Sequence, residues 1–346
     1  MRTTPRKFGA FANCNQSTHL ISWYGAILHA ARRSEATAAP KRSMIQSELN
    51  SGATPRFSIV IPVYDDWLPL EECLQSVAGQ VNPPSFEVIV VDDGSQQAAP
   101  EFIRKFASHY QLTFLRQTHT GIATARNLGI RNAKGEILLF VDADCRVEAN
   151  GLAALGSAIA RSRNYDFFQL RLAGTCANLV GRAEELRLRT FQNHMLQSDG
   201  HVRYLNTAGF AIRRASANVR IDLFDPAALR AEDTLLLVEL IQAGKLPLFV
   251  PDAIVEHAIP LSLMECLRKD IRSVFAERRT YDIIAAKGIK LRLTPRERLR
   301  FLASVWKAAG QRSIGRSAFF WLILRQALKR TISLGLNLFG SIAGRP

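Results

Sequence analysis

Cysteine is scarce in this chain, with five residues among 346: Cys14, Cys73, Cys145, Cys176 and Cys266. No two of them stand at a spacing typical of metal ligands, and their number is odd. Both features disfavour a zinc module and a disulfide framework. We therefore expect reduced thiols and a cytoplasmic protein.

Apolar runs long enough to span a bilayer are also missing. The N-terminal stretch Leu20–Ala31 starts late and contains His29, so it is poorly placed for a signal peptide. The longest charge-free stretch after Arg330 covers residues 331–344 and has 14 residues, whereas a spanning helix needs about 20. The sequence thus predicts no transmembrane helix.

Two common phosphate-binding loops are absent. No Gly-x-Gly-x-x-Gly follows the first predicted strand, which disfavours a dinucleotide-binding site. The sequence also has no Gly-rich loop that carries Lys-Ser or Lys-Thr, which excludes a P-loop protein.

Acidic residues are outnumbered overall, and the imbalance lies at the two ends of the chain. The formal net charge is +15. Residues 1–55 carry 7 basic and 2 acidic side chains, residues 56–260 carry 20 and 23, and residues 261–346 carry 18 and 5. A near-neutral centre suits a cation site, and a basic C-terminal part suits an anionic membrane surface or, alternatively, a nucleic acid.

Hydrophobic periodicity organises the chain after an N-terminal segment without sustained pattern. We interpret residues 1–55 as a disordered basic tail, in which Met44 is an alternative start. Strands are predicted at Phe57–Val63, Phe86–Val91, Leu112–Leu115 and Ile137–Val141, and helices at Trp67–Val77, Phe102–Tyr110 and Ala123–Ala133. This alternation predicts an α/β fold whose mostly parallel sheet binds ligands beyond the carboxyl ends of its strands.

Carboxylates cluster at those strand ends. Asp142 and Asp144 follow a buried strand two residues apart, and Asp92 and Asp93 precede Gly94 after another. Paired carboxylates suit Mg²⁺ or Mn²⁺ when a diphosphate completes the coordination. Each motif is also compatible with an ordinary turn.

Four segments, taken together, carry a resemblance. They are Ser58–Tyr64, Val90–Ser95, Gly121–Ile130 and Ala133–Asp144, and they resemble inverting, nucleotide-sugar-dependent glycosyltransferases of the GT-A fold and the large family 2 type. The resemblance implies a nucleotide-sugar-binding half at residues 56–150, an acceptor and catalytic half at 151–260, and a helical C-terminal extension at 261–346. The processive synthases' Gln-x-x-Arg-Trp motif is absent, which favours transfer of a single sugar.

The resemblance also implies residues on the donor side. Pro62, Val63 and Tyr64 correspond to the loop beside the nucleotide base, Asp93 to the carboxylate that accepts a hydrogen bond from the base, Asp92 to its turn, and Arg126 to a basic residue near the donor phosphates. A surface arginine on a helix is the other interpretation of Arg126.

The implied metal ligands are Asp144, Asp142 and His257, which would hold Mn²⁺ or Mg²⁺. Asp142 also corresponds to a contact with the donor sugar. A lone histidine is often structural, so His257 has two open interpretations.

In the second half, Asn206–Arg214 resembles the family's acceptor-side segment and contains Gly209. Glu232 and Asp233 precede a predicted helix at Leu235–Ile241, and a strand is predicted at Leu246–Val250. The resemblance assigns Glu232 to the acceptor side and makes Asp233 the candidate catalytic base.

Independent chemistry favours a single base at Asp233. Inverting transfer needs one carboxylate to take the acceptor proton, because a phosphate leaving group needs no acid. Helix capping by Glu232 and Asp233 is the alternative interpretation.

The basic extension at 261–346 reads as helices with Leu299, Leu302, Val305 and Trp306 near one face of one of them. It either lies on a membrane interface or packs as a bundle on the catalytic domain. A membrane location would favour a lipid-linked or cell-envelope glycan acceptor and a peripheral position on the inner face of the plasma membrane.

The leading hypothesis is therefore a glycosyltransferase that uses a nucleotide-sugar donor, with a UDP-sugar favoured. A sugar nucleotidyltransferase would carry a Gly-rich basic loop where Pro62–Asp66 stands. A nucleic-acid-binding protein is disfavoured by the acidic centre, and a catalytically silent glycan-binding protein by the intact Asp142, Asp144 and Asp233.

Overall fold

A computed structural model describes residues 45–46, 54–175, 178–217, 222–228, 230–257, 262–286, 295–311 and 314–343. They fall within one of the two compact units of the chain, residues 42–346. The predicted tail at residues 1–55 lies outside the described residues, apart from 45–46 and 54–55.

The described residues form nine strands and ten helices. The strands are β1 (Ile45–Gln46), β2 (Phe57–Val63), β3 (Phe86–Asp92), β4 (Gln111–Arg116), β5 (Ile137–Phe140), β6 (Cys145–Val147), β7 (Phe167–Gly174), β8 (Phe210–Arg213) and β9 (Leu248–His257). The helices are α1 (Trp67–Ala78), α2 (Phe102–Lys105), α3 (Ile122–Asn132), α4 (Gly151–Arg161), α5 (Leu179–Met195), α6 (Arg214–Ala217), α7 (Glu232–Gln242), α8 (Leu263–Ala286), α9 (Pro295–Ala309) and α10 (Arg316–Ala343).

One sheet joins all the described strands in the order β1-β4-β3-β2-β5-β8-β7-β9-β6. Strands β4, β3, β2 and β5 are parallel to one another, and β7 is parallel to β9. Strand β8 lies between β5 and β7 and runs antiparallel to both. The predicted α/β fold with a mostly parallel sheet is confirmed, since β2, β3, β4, β5, β7 and β9 share one direction.

The central strands are buried on both faces. On β2, Ile59 and Ile61 belong to one apolar cluster, which includes Leu70 and Leu74 of α1. Val60 points to the other side, where it joins a second cluster with residues of α3 and α7. Successive side chains of a strand face opposite sides of the sheet, so the continuous apolar run is the pattern of a strand covered twice.

Two elements differ most from their predicted bounds. The helix expected at Phe102–Tyr110 ends at Lys105 and continues as a 3₁₀ turn at Phe106–Ser108. The strand expected at Leu246–Val250 begins at Leu248 and continues to His257. Pro251 did not end it, because a shift in register between Leu170 and Arg171 of β7 leaves Pro251 in a bulge, where no ladder hydrogen bond is needed.

The predicted helical extension is also confirmed, and it packs on α5. Val305 of α9 and Trp321 and Leu322 of α10 join one apolar cluster with Val180 and Leu186 of α5. The face predicted on α9 is divided, because Val305 is buried while Leu299, Leu302 and Trp306 are exposed. Of the helices in the described part of the chain, none has the length and apolar character that a membrane crossing requires.

Candidate active site

Parallel pairing brings the polar strand ends to one edge of the sheet. Val63 at the end of β2 pairs with Asp92 at the end of β3. On the other side of β2, Val60 pairs with Phe140, which ends β5 two residues before Asp142. Tyr64, Asp93 and Asp142 therefore follow neighbouring strands at the same edge.

Asp93 is buried and surrounded by donors of the chain itself. Its Oδ1 accepts hydrogen bonds from Gln117 Nε2 at 2.8 Å and from the Thr120 backbone N–H at 2.9 Å. Its Oδ2 accepts one from the Gly121 N–H at 3.0 Å and lies 3.0 Å from His119 Nδ1. A carboxylate offers about four acceptor positions, so the contacts with the loop at residues 117–121 occupy the acceptor positions of Asp93.

Asp92 serves the same region. Its Oδ1 accepts the Ser95 N–H at 2.8 Å, and Arg116 Nη1 lies 3.1 Å from Oδ2. Between Asp92 and Ser95, Gly94 has φ +75°, and a Cβ there would stand 2.6 Å from the His119 backbone nitrogen. The Asp-Asp-Gly-Ser motif thus folds the turn against the loop at 117–121, and only glycine fits its third position.

An exposed aromatic pair lies above this turn. The rings of Tyr64 and His119 are 4.2 Å apart between centroids. Tyr64 is 37% exposed, while Pro62 and Val63 beneath it are buried in β2. His119 was not predicted as a site residue, since it belongs to no sequence motif and meets Tyr64 only through tertiary structure.

A second group forms around Asp144. Strands β6 and β9 pair Cys145 with His257, and this register places His257 Nε2 3.2 Å from Asp144 Oδ2. Lys269 of α8 reaches the same oxygen, with Nζ at 3.5 Å. Asp144, Cys145 and His257 offer ligand atoms that all lie within 4.8 Å of one another. Lys269 was not predicted from the sequence. The only signal for it was the excess of basic residues in the C-terminal extension.

The pKa values in this group are shifted in opposite directions. Burial alone would raise the pKa of Asp144, but the hydrogen bond with His257 and the charges of His257 and Lys269 hold it well below its usual value. Burial would lower the pKa of His257, yet its contacts with Asp144 and Glu184 raise it to about 10. Glu184 in turn is paired with Arg187, with Arg187 Nε 2.9 Å from Glu184 Oε2.

Arg126 connects the end of β5 with the start of α7. Its side chain lies on α3, is 1% exposed, and is the largest fully buried side chain among the described residues. Nη2 donates to Asp142 Oδ1 at 2.6 Å, and Nη1 donates to Glu232 Oε1 at the start of α7. Both terminal nitrogens are thus engaged by carboxylates inside the protein, an arrangement that favours an internal role over direct contact with a phosphate.

Asp233 lies beside this bridge. Burial raises its pKa to about 7, the charge of Glu232 adds to the shift, and Arg126 opposes it. Its Oδ1 accepts the Thr234 N–H at 2.6 Å. The N-cap position of α7 is Ala231, which makes no side-chain cap and has φ +59°, an uncommon value for a residue with a Cβ. Glu232 is therefore committed to Arg126 and does not cap the helix.

The predicted acceptor-side segment lies against β7. The buried Gln169 side chain accepts the Asn206 N–H at 2.8 Å and donates to the Gly209 carbonyl at 2.9 Å. A Cβ on Gly209 would stand 2.8 Å from Leu172 Cδ2. Gly209 is itself buried, so it sets the path of the segment through close backbone packing.

This arrangement unites an acidic group able to hold a divalent cation with a carboxylate whose pKa lies near neutrality. Asp142, Asp144, Glu232, Asp233 and His257 are brought to one region through Arg126 and through the β6–β9 pairing. Asp92 and Asp93 organise the neighbouring aromatic rim. Such a combination suits proton abstraction next to a charged leaving group.

Comparison with known proteins agrees with this chemistry. Residues 58–221 match the model of "Glycosyl transferase family 2". "Glycosyltransferase AglE" of Haloferax volcanii is 39% identical over 94 residues, which is 26% of this chain and 31% of that protein. An "N-acetylglucosaminyltransferase" of Bradyrhizobium diazoefficiens is 27% identical over 241 residues, covering 63% and 48% of the two chains. The chain thus spans less than half the length of either relative.

Solved structures share the fold at low sequence identity. TarS of S. aureus superposes with a TM-score of 0.50 at 18% identity, over 80% of this chain and 55% of that one. The mannosyltransferase PcManGT of Pyrobaculum calidifontis, solved with GDP-Man and Mn²⁺, has a TM-score of 0.50 at 19% identity, over 93% and 89% of the two chains.

Proposed function

Because residues 58–221 match the model of glycosyl transferase family 2, we propose that this chain transfers a single sugar from a nucleotide-diphosphate sugar to a hydroxyl group, with inversion at the anomeric carbon. A UDP-sugar is the favoured donor, and a glycan or lipid-linked glycan is the acceptor. The observation that carries the proposal is the Arg126 bridge, which ties Asp142 after β5 to Glu232 at the start of α7, beside Asp233.

Asp233 acts as the general base in this proposal. It takes the proton of the acceptor hydroxyl while that oxygen forms a bond to the anomeric carbon. The bond from the anomeric carbon to the donor phosphate breaks on the opposite side, and the nucleoside diphosphate leaves with the electron pair. A base is most effective when its pKa lies near the working pH, and the pKa of about 7 for Asp233 meets that condition.

Asp144, Asp142 and His257 would hold Mn²⁺ or Mg²⁺. The ion, when bound, supplies positive charge that stabilises the leaving diphosphate. An Asp144 oxygen, the Cys145 sulfur and a His257 nitrogen lie within 4.8 Å of one another, and His257 would release its second ring proton on binding the ion. Asp142 stands outside this group and is paired with Arg126, so it would reach the ion only by giving up that contact. Burial raises the pKa of the Cys145 thiol well above its usual value, which disfavours it as a thiolate ligand.

The base of the donor would lie against Tyr64 and His119. Tyr64 offers a partly exposed ring for stacking, and Pro62 and Val63 precede it, buried at the end of β2. In this proposal Asp92 and Asp93 contribute by fixing the turn and the loop at residues 117–121, which carries His119.

A donor-hydrolysis screen tests the function. UDP-, GDP- and dTDP-sugars are incubated with the protein and Mn²⁺, and free nucleoside diphosphate is measured. We expect release from one donor class that requires the ion. Release of pyrophosphate from a nucleoside triphosphate and a sugar phosphate, with no nucleoside diphosphate from any sugar donor, would establish the nucleotidyltransferase alternative.

We further propose that the extension docks on an anionic membrane. Phe320 and Leu324 of α10 are 61% and 57% exposed, and residues 261–346 carry 18 basic side chains against 5 acidic ones. Apolar side chains beside basic charge match a surface of anionic lipid.

Sedimentation with vesicles tests this docking. We expect the wild type to pellet with phosphatidylglycerol vesicles and a Phe320→Glu/Leu324→Glu variant to stay in solution. Leu68→Glu is the matched control, because Leu68 of α1 is 73% exposed and lies outside the extension. Equal sedimentation of all three proteins would contradict the docking.

A further inference from the structure

The Arg126 side chain is unusual in being both charged and enclosed. It projects from α3 into the space between β5 and α7, and its guanidinium also lies 5.7 Å from the ring centre of Phe224. Moving a charge out of water is costly unless it is paired. Here Asp142 and Glu232 supply the pairing, and these two carboxylates come from elements 90 residues apart in sequence.

The two contacts require a guanidinium. Its planar fork presents donors in fixed directions, so one side chain can hold two carboxylates in a defined relative position. A lysine would place one ammonium in the same space, and it could not reproduce both contacts. The Arg126 guanidinium therefore fixes the separation of Asp142 and Glu232 and also neutralises their charge.

We propose that Arg126 is a positioning residue, which holds the catalytic carboxylate Asp233 in register with the donor site by locking Glu232 to Asp142, without touching the donor itself. This inference rests on the proposed function for its catalytic consequence. Asp233 adjoins Glu232 in the first turn of α7, so a change in the Arg126–Glu232 contact moves the base directly.

The charge of Arg126 has a separate effect from its shape. Asp233 faces the acidic Glu232, the cationic Arg126 and the phenol of Tyr204. Burial and Glu232 raise the pKa of Asp233, and Arg126 lowers it. Removing the arginine charge should therefore move the pKa up, and removing the Glu232 charge should move it down.

Three variants separate shape from charge. Arg126→Lys keeps the charge and loses the fork, Arg126→Gln loses both, and Arg131→Gln is the control on the same helix, where Arg131 forms a partly exposed pair with Asp222. We expect Arg126→Lys to lower kcat by about tenfold to a hundredfold, as a misplaced base would, with a smaller rise in the donor KM because Asp142 is loosened as well. We expect Arg131→Gln to match the wild type.

Carboxyl ¹³C NMR gives a readout that does not need sugar transfer. Aspartate-labelled wild type is compared with Asp233→Asn to assign the signal, and pH titrations follow for each variant. We expect a titration near pH 7 in wild type, a similar value in Arg126→Lys, and a higher value in Arg126→Gln. If Arg126→Gln does not fold, Glu232→Gln provides the test, because it should move the titration to lower pH.

The outcomes are distinguishable from failure of the proposed function. A wild type that transfers no sugar would remove that function, yet NMR would still test the electrostatic part. An unchanged kcat in Arg126→Lys, whatever the donor KM, would overturn the inference, because the base would then be held in place without the guanidinium fork. An Asp233 pKa that is the same in wild type, Arg126→Gln and Glu232→Gln would overturn it as well.

Discussion

Two groups of carboxylates lie at the same edge of the sheet and are used differently. In the turn cluster, defined as Asp92 and Asp93, the oxygens mainly accept hydrogen bonds from backbone N–H groups of the adjoining turn and loop, and Asp92 also pairs with Arg116 of β4. In the reaction cluster, defined as Asp142, Asp144, Glu232 and Asp233, the partners are mainly other charged side chains. Hydrogen bonds from the adjoining loop fix the backbone around the turn cluster, whereas in the reaction cluster charged neighbours, together with burial and hydrogen bonds, shift the pKa values of Asp144 and Asp233.

The comparison teaches that motif residues of one chemical type divide into structural and chemical roles according to their partners. Removal of a turn-cluster carboxylate should cost stability and leave the proton-transfer step intact. Removal of Asp144 or Asp233, which do not pair with the buried Arg126, should leave the fold intact and abolish a step of the reaction. Each prediction below tests this division.

The largest expected effect is that of Asp233→Asn. The amide has the same shape but cannot accept a proton, so kcat should fall by about 10²–10⁴-fold. Because the substitution also removes a buried charge next to Glu232, the free energy of unfolding should be equal or higher. Steady-state transfer and chemical denaturation measure the two quantities. Retained transfer in Asp233→Asn would end the assignment of the base.

The next effect is on the pH profile. Asp233 must be deprotonated to act, and its pKa of about 7 places the acid limb of kcat there, with activity lost as the pH falls below it. Below this limb, kcat should drop about tenfold per pH unit. Saturating donor and Mn²⁺ remove the pH dependence of their binding. An acid limb near pH 4, the pKa of an ordinary aspartate, would contradict a raised pKa for Asp233. It would also remove the proposed difference in pKa between the reaction cluster and the turn cluster.

The smallest effect is on stability, and it concerns the turn cluster. Asp93→Ala leaves buried donors of the loop at 117–121 without an acceptor, which should lower the free energy of unfolding by about 2–4 kcal/mol. Asp225→Ala is the control, because exposed Asp225 accepts one N–H, from Ala227. The donor KM should rise in Asp93→Ala while kcat per folded molecule changes little. A large loss of kcat with normal stability would place Asp93 in the reaction cluster instead.

Much of the fold was readable from the sequence for a simple reason. Strands such as Phe57–Val63 are buried on both faces, so their apolar runs are continuous and their ends are marked by Pro62 or by Asp-Gly. The predicted strand at Leu246–Val250 covers only the first part of β9, which continues to His257, because the bulge that accommodates Pro251 depends on the partner strand β7.

The site was only partly readable, since motifs name residues without their partners. Asp233 and Asp144 stood in recognisable patterns, but the burial of Arg126 and its bridge to Glu232 arise from contacts across more than 100 residues of sequence. Lys269 and His119 were missed for the same reason. Each belongs to no motif, and each meets its carboxylate only in the folded chain.

Calorimetry with nucleotide and manganese tests the central claim most directly. UDP, GDP and dTDP are titrated with Mn²⁺ into wild type, Asp144→Ala and Asp233→Asn. We predict that one nucleotide binds wild type and Asp233→Asn with similar Kd, and that Asp144→Ala binds it about 10–100-fold more weakly. Absence of binding to wild type, or equal binding by wild type and Asp144→Ala, would contradict a site in which these carboxylates converge on a donor diphosphate.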